Sequence, residues 1–129
     1  MGTKISAKFE VENWDEGPFD EGSGLSKLTR ATVAKKYSDG IDGSSTTVWL
    51  MAYAEDGSAT FVGLERLQAT VDGRKGSLVL RHVGSFEDGA AKASLTVVPG
   101  SGTGELASAT GEGDFLADPK GSVTLDLTY

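Results

Sequence analysis

The dipeptide Asp-Gly recurs at residues 56–57, 72–73 and 88–89, at a constant interval of sixteen positions. A type I′ hairpin turn needs positive φ at both central residues, which Asp and Gly tolerate, so Asp-Gly between alternating apolar runs marks a two-residue loop. A further pair, Asp39-Gly40, precedes the first by seventeen positions. The segments flanking these turns, "TTVWLMAYA", "ATFVGLERLQATV", "GSLVLRHVGSF" and "AAKASLTVV", are rich in β-branched and aromatic residues and hold no proline. They read as consecutive antiparallel strands. "KISAKFEVEN" and "KLTRATVAKKY" supply two more ahead of them, and an Asp118-Pro119-Lys120-Gly121 turn divides "GDFLA" from "SVTLDLTY" behind them. The expectation is an all-β chain of about eight strands, closed over residues 1–129 into a single antiparallel barrel that leaves no exposed edge. A β-sandwich is the alternative.

Composition narrows the partners. With no cysteine and one histidine, the chain has no disulfides and no thiolate or zinc ligand set. None of the Asp-Gly turns carries the clustered oxygen ligands of a calcium loop. The acidic stretch "DEGPFDEG", residues 15–22, is a better cation candidate, but it reads as a solvated loop. No metal and no cofactor are expected. Twelve basic against nineteen acidic residues give a net charge of −7, the wrong sign for nucleic acid or anionic lipid. The N-terminus alternates polar and apolar residues instead of forming a signal core, so a cytoplasmic protein is expected. In "PGSGTGELASATGEGDF", Gly102, Gly104 and Ala107 match a dinucleotide spacing but lack the βαβ unit that gives it meaning. The stretch reads as a glycine-dependent corner at a barrel rim.

Counting outward from two-residue turns sets the register: Glu65 opposite Leu80, Gly63 opposite His82, His82 opposite Leu95. One face then carries Phe61, Gly63, Glu65, Leu67, Leu78, Leu80, His82, Gly84, Phe86, Ala91, Ala93, Leu95 and Val97, with two ionisable residues among apolar ones. Glu65 and His82 are diagonal neighbours, about 7–8 Å apart at the backbone, a gap that long side chains close. A buried carboxylate is costly unless partnered, and a histidine partner moves both pKa values, as acid/base sites do. An ion pair serving only the fold is the other reading. Gly63 leaves a gap beside the imidazole. The same counting puts Trp49, Met51, Tyr53, Val62, Leu64, Val79 and Val83 on the outer face, an apolar band that suggests a homo-oligomer interface. A shifted register in the third strand, through a bulge or a longer loop, would instead turn Trp49, Met51 and Tyr53 inward as pocket lining.

Three stretches, "FEVENWDEGPFDE", "FVGLERLQATVDGRKGSLVLRHVGSFEDG" and "VVPGSGTGELASATGEG", together resemble the bacterial domain-of-unknown-function family 3224. That family is similar to the allene oxide cyclase and dirigent barrels, whose glycine-rich corner resembles Gly102 through Gly111. The resemblance implies an eight-stranded barrel with a mostly apolar central cavity, usually assembled as an oligomer, and carries no reaction with it. The functional expectation is a barrel that binds a small apolar metabolite and isomerises or cyclises it, with Glu65 as base and His82 as acid or orienting group. Leu50, Phe61, Gly63, Leu80 and Leu95 would line the cavity and Trp14 would cap it, with residues 15–24 as a candidate lid. The alternative is a non-catalytic assembly module whose barrel is packed by its own side chains. Whether the protein is an enzyme stays open at this point.

Overall fold

The computed structural model describes residues 2–20, 27–117 and 121–129. Nine strands follow in order: β1 (Thr3–Asp20), β2 (Leu28–Ser38), β3 (Ile41–Tyr53), β4 (Ala59–Val71), β5 (Arg74–Glu87), β6 (Ala90–Val97), β7 (Thr103–Gly104), β8 (Thr110–Ala117) and β9 (Gly121–Thr128). All pairings are antiparallel, and they run β1-β2-β3-β4-β5-β6-β8-β9 and back to β1. Eight strands thus close a barrel, and the two-residue β7 adds to the edge of β5. Among the described residues no helix is long and apolar enough to cross a membrane.

Period-two patterning explains the closure. Leu67, Leu78, Leu80, Leu95, Leu125 and Leu127 alternate with solvent-facing neighbours and are buried. Burying each contributes roughly 1.5–3 kcal/mol. The register after the second and third Asp-Gly turns is the one the spacing dictates, with Gly63 opposite His82, Glu65 opposite Leu80 and His82 opposite Leu95. Both residues of those turns sit at positive φ: Asp72 at 51° and Gly73 at 73°, Asp88 at 53° and Gly89 at 77°.

The Asp56-Gly57 turn differs, and the difference reverses a face. Only Gly57 has positive φ there. The Asp56 carboxylate instead accepts the Ser58 amide (2.9 Å) and hydroxyl (2.6 Å), and the Ala54 amide donates to the Ser58 carbonyl (2.8 Å). This Asx-type closure encloses three residues rather than two. It pairs Tyr53 with Ala59, Met51 with Phe61 and Trp49 with Gly63. Trp49 and Met51 are therefore buried inside, and Leu50, expected to line the interior, is 48% exposed on the outside.

The acidic stretch also departs from expectation. Asp15 to Asp20 continue β1 against β2 instead of forming a loop. Pro18 fits because β1 is bonded to β9 only as far as Phe9, so Pro18 has no ladder bond to lose on that side. Residues 21–24 of the candidate lid lie outside the described residues, as does most of the Asp118–Gly121 turn. At the opposite end the chain turns at Gly100 (φ 76°) and Gly104 (φ 60°), and a Cβ on Gly102 would overlap the Leu106 carbonyl. This corner seats Leu106 and Ala109 in the core.

Candidate functional site

Inward-facing positions of five strands bring together Lys35 and Tyr37 (β2), Ser45, Thr47 and Trp49 (β3), Glu65 (β4), His82 (β5) and Phe115 (β8), all buried. Glu65 is the hub. Its Oε2 accepts the Tyr37 hydroxyl (2.5 Å) and the Ser45 hydroxyl (2.5 Å), and its Oε1 lies 2.8 Å from His82 Nε2 and 3.7 Å from Lys35 Nζ. The diagonal Glu-His contact read from the register is thus a direct hydrogen bond.

Trp49 decides which imidazole nitrogen carries the proton. An indole N–H is only a donor, and Trp49 Nε1 lies 3.1 Å from His82 Nδ1. Nδ1 must therefore be the acceptor, so the proton sits on Nε2 and is donated to Glu65 Oε1. An imidazolium would set two N–H groups against each other. Burial, with Lys35 adding to it, lowers the His82 pKa, although Glu65 pulls the other way. For Glu65, burial raises the pKa, but the Lys35 charge and the His82 and Ser45 hydrogen bonds outweigh it and hold it at about 2. Burial and the Glu65 charge together push the Tyr37 hydroxyl well above its ordinary range. The resting centre is neutral His82, ionised Glu65 and a proton-bearing Tyr37.

Gly63 makes this geometry possible. A Cβ there would overlap the Val48 carbonyl and come within 2.6 Å of Trp49 Cδ1. The gap expected beside the imidazole exists in the backbone, and the Trp49 indole fills it. The same indole packs against Phe61 (centroids 4.9 Å apart) and Phe115 (6.0 Å). Lys35 Nζ sits over the rings of Phe9, Trp49 and Phe115 at 4.7, 5.0 and 4.9 Å. Lys35 Nζ and Thr47 Oγ1 are buried without a hydrogen-bond partner.

Trp14 stands at the mouth, 44% exposed, its ring 5.4 Å from that of Trp49. Its Nε1 donates to Glu16 Oε1 (3.0 Å), while Glu16 Oε2 accepts the hydroxyls of Thr29 (2.6 Å) and Tyr53 (2.5 Å). Burial opposes ionisation of Glu16, yet the hydrogen bonds from Thr29, Tyr53 and Trp14, with Lys27 nearby, hold its pKa below the usual value.

Of the residues expected at the site, Glu65, His82, Phe61, Leu80 and Leu95 are buried inside the barrel and Trp14 lies at its entrance. Leu50 does not belong to it. Lys35, Tyr37 and Ser45 were not expected there, and Trp49 was expected only under the alternative register. The alternation Ala31-Val33-Lys35-Tyr37 carried the signal for two of them, since it puts a lysine on the parity of two apolar residues. Among the described residues no group of three or more His, Asp or Glu is arranged to hold a metal ion.

Residues 5–129 match the sequence profile of DUF3224, a family of proteins of unknown function. The chain belongs to the DUF3224 family. A crystal structure of a DUF3224 protein of unknown function from Shewanella oneidensis MR-1 superposes with a TM-score of 0.81, at 28% identity, over 100% of this chain and 98% of that one. No functionally curated protein matches the DUF3224 chain.

Proposed function

We propose that this DUF3224 barrel binds a small, mostly apolar molecule in its interior and moves a proton on it, with His82 Nδ1 as the acceptor. The observation that carries the reading is the Trp49–His82–Glu65 relay. Glu65 already accepts the Nε2–H hydrogen bond, so an imidazole freed at Nδ1 would be supported as it became positive. The Trp49 indole covers that lone pair and leads outward to Trp14. A ligand donor replacing the indole N–H would take its place on Nδ1 among Phe61 and Phe115. Partnerless Thr47 Oγ1 is a second point for a polar group. Buried titratable groups with displaced pKa values concentrate at functional sites.

Two observations favour a second reading, a packed assembly module: both oxygens of Glu65 are satisfied, and Trp49 fills the space over Gly63. Titration with 2-naphthol, an apolar ring with one donor, separates the two. The first reading expects the His82 ring nitrogens and the Trp49 indole signal to shift together, and the response to vanish in His82→Phe. A response confined to outward methyls, or none, would leave the packed module standing.

The proposal for the outer face is a second copy of the chain. Val62, Leu64 and Val83, with Leu50 replacing the inward-facing tryptophan, methionine and tyrosine, form an apolar groove of about 570 Å³ rimmed by Arg30 and Arg81. A partner of net charge −7 has carboxylates to offer those arginines. Leu64→Glu is expected to reduce the mass measured by light scattering to that of one chain; an unchanged mass removes this interface.

A further inference from the structure

Lys35 is the buried lysine among the described residues, and its one carboxylate neighbour, Glu65, is held at a distance. An ammonium has three donors, and a buried ion pair repays its desolvation only with close, hydrogen-bonded geometry. Here the nearest carboxylate oxygen, Glu65 Oε1, is 3.7 Å away, and Nζ has no hydrogen-bond partner. Meanwhile Tyr37, Ser45 and His82 occupy the close positions on Glu65. What Lys35 does have is three aromatic faces, at 4.7 to 5.0 Å from Nζ. Such faces stabilise a diffuse cation on nitrogen without consuming its protons. Among the described residues no side chain accepts a hydrogen bond from Nζ.

We propose that Lys35 is a nucleophilic amine that condenses with a small apolar aldehyde or ketone admitted to the barrel. This rests on the interior being a ligand site. The ammonium passes one proton to Glu65, and the freed lone pair forms a bond to the carbonyl carbon. A second proton moves from nitrogen to the former carbonyl oxygen, Glu65 returns the first, and the C–O bond breaks to release water. The net change is R₂C=O plus Lys-NH₃⁺ to R₂C=NH⁺-Lys plus H₂O, so charge is conserved. The iminium inherits the cage and the carboxylate that held the ammonium, and the site needs no rearrangement of charge to hold the product. Burial also holds the Lys35 pKa below the ordinary lysine value, with Glu65 opposing it, which enlarges the amine fraction at neutral pH.

The test uses the intact protein with acetaldehyde or benzaldehyde and cyanoborohydride at pH 7, followed by proteolysis and mass mapping. Reduction fixes the iminium as a secondary amine. Lys36 is exposed on the opposite face and serves as the internal reference. Lys35 is expected to be alkylated several-fold faster than Lys36, since a lowered pKa leaves a larger amine fraction at pH 7. Lys35→Met, whose apolar chain fills the same cage, should keep the circular dichroism spectrum of the folded barrel and leave only slow surface labelling. The His82 ring nitrogens are followed in parallel with benzaldehyde alone. If they shift while Lys35 labels no faster than Lys36, the inference is overturned and the ligand site stands. If neither happens, both are overturned.

Discussion

The barrel holds two carboxylates with nearly the same set of donors. Glu65 receives a tyrosine hydroxyl, a serine hydroxyl and a ring N–H; Glu16 receives a tyrosine hydroxyl, a threonine hydroxyl and a ring N–H. Each has a lysine nearby, Lys35 over three rings and Lys27 over the ring of Tyr53. The difference is burial. Glu65 is inaccessible, whereas Glu16 lies partly in solvent at the mouth. At the mouth water can replace any donor that leaves. In the interior each lost partner strands a charge, so the same hydrogen bonds become obligatory.

The widest expected gap between the two sites is in stability. Glu65→Ala leaves Lys35 buried and uncompensated, which costs about 3–5 kcal/mol. Glu16→Ala should cost about 1 kcal/mol or less, in the range of exposed ion pairs. Urea unfolding of the two variants measures this directly, and equal losses would show that burial is not what distinguishes them. Next comes Gly63→Ala. Its methyl must displace either the Val48 carbonyl or the Trp49 indole, an overpacking cost of about 1–3 kcal/mol. The indole fluorescence should report Trp49 leaving His82, and a variant with unchanged fluorescence and stability would mean that the gap is not filled as described.

The most gradual effect is in acid. His82 has a lowered folded pKa, so below about 6.5 the unfolded chain binds the extra proton and stability falls with pH. Glu65, held at about 2 against an ordinary 4.5, adds a second loss as pH drops from about 4.5 toward 2. The first step is limited to about 1.4 kcal/mol per pH unit for a single group. It should disappear in His82→Gln while the second persists; a first step unchanged in that variant would assign it to another group.

How much of this was readable in the sequence depends on the turn. Where Asp-Gly made a two-residue loop, counting gave the register residue by residue, and with it Glu65 against His82. At Asp56-Gly57 the Ser58 side chain and amide bind the aspartate and lengthen the loop by one. That single residue moved Trp49 from the surface to the imidazole and Leu50 from the interior to the surface. Dipeptide identity does not encode loop length when a following serine competes for the aspartate. Lys35 was obscured for a different reason: a lysine in an alternating strand is ordinarily assigned to water, and the cage that accepts it is built from Phe9, Trp49 and Phe115, contributed by strands far apart in the chain.

The central claim is that Trp49 and Glu65 hold His82 as a neutral imidazole with its proton on Nε2. Because the chain has one histidine, a ¹⁵N-labelled sample gives a single imidazole spin system and no assignment ambiguity. At pH 7 a long-range ¹H–¹⁵N correlation spectrum should show a protonated Nε2 and an unprotonated, hydrogen-bonded Nδ1, with Nδ1 moving when Trp49 is replaced by Phe. A proton on Nδ1, or an imidazolium at that pH, would contradict the account.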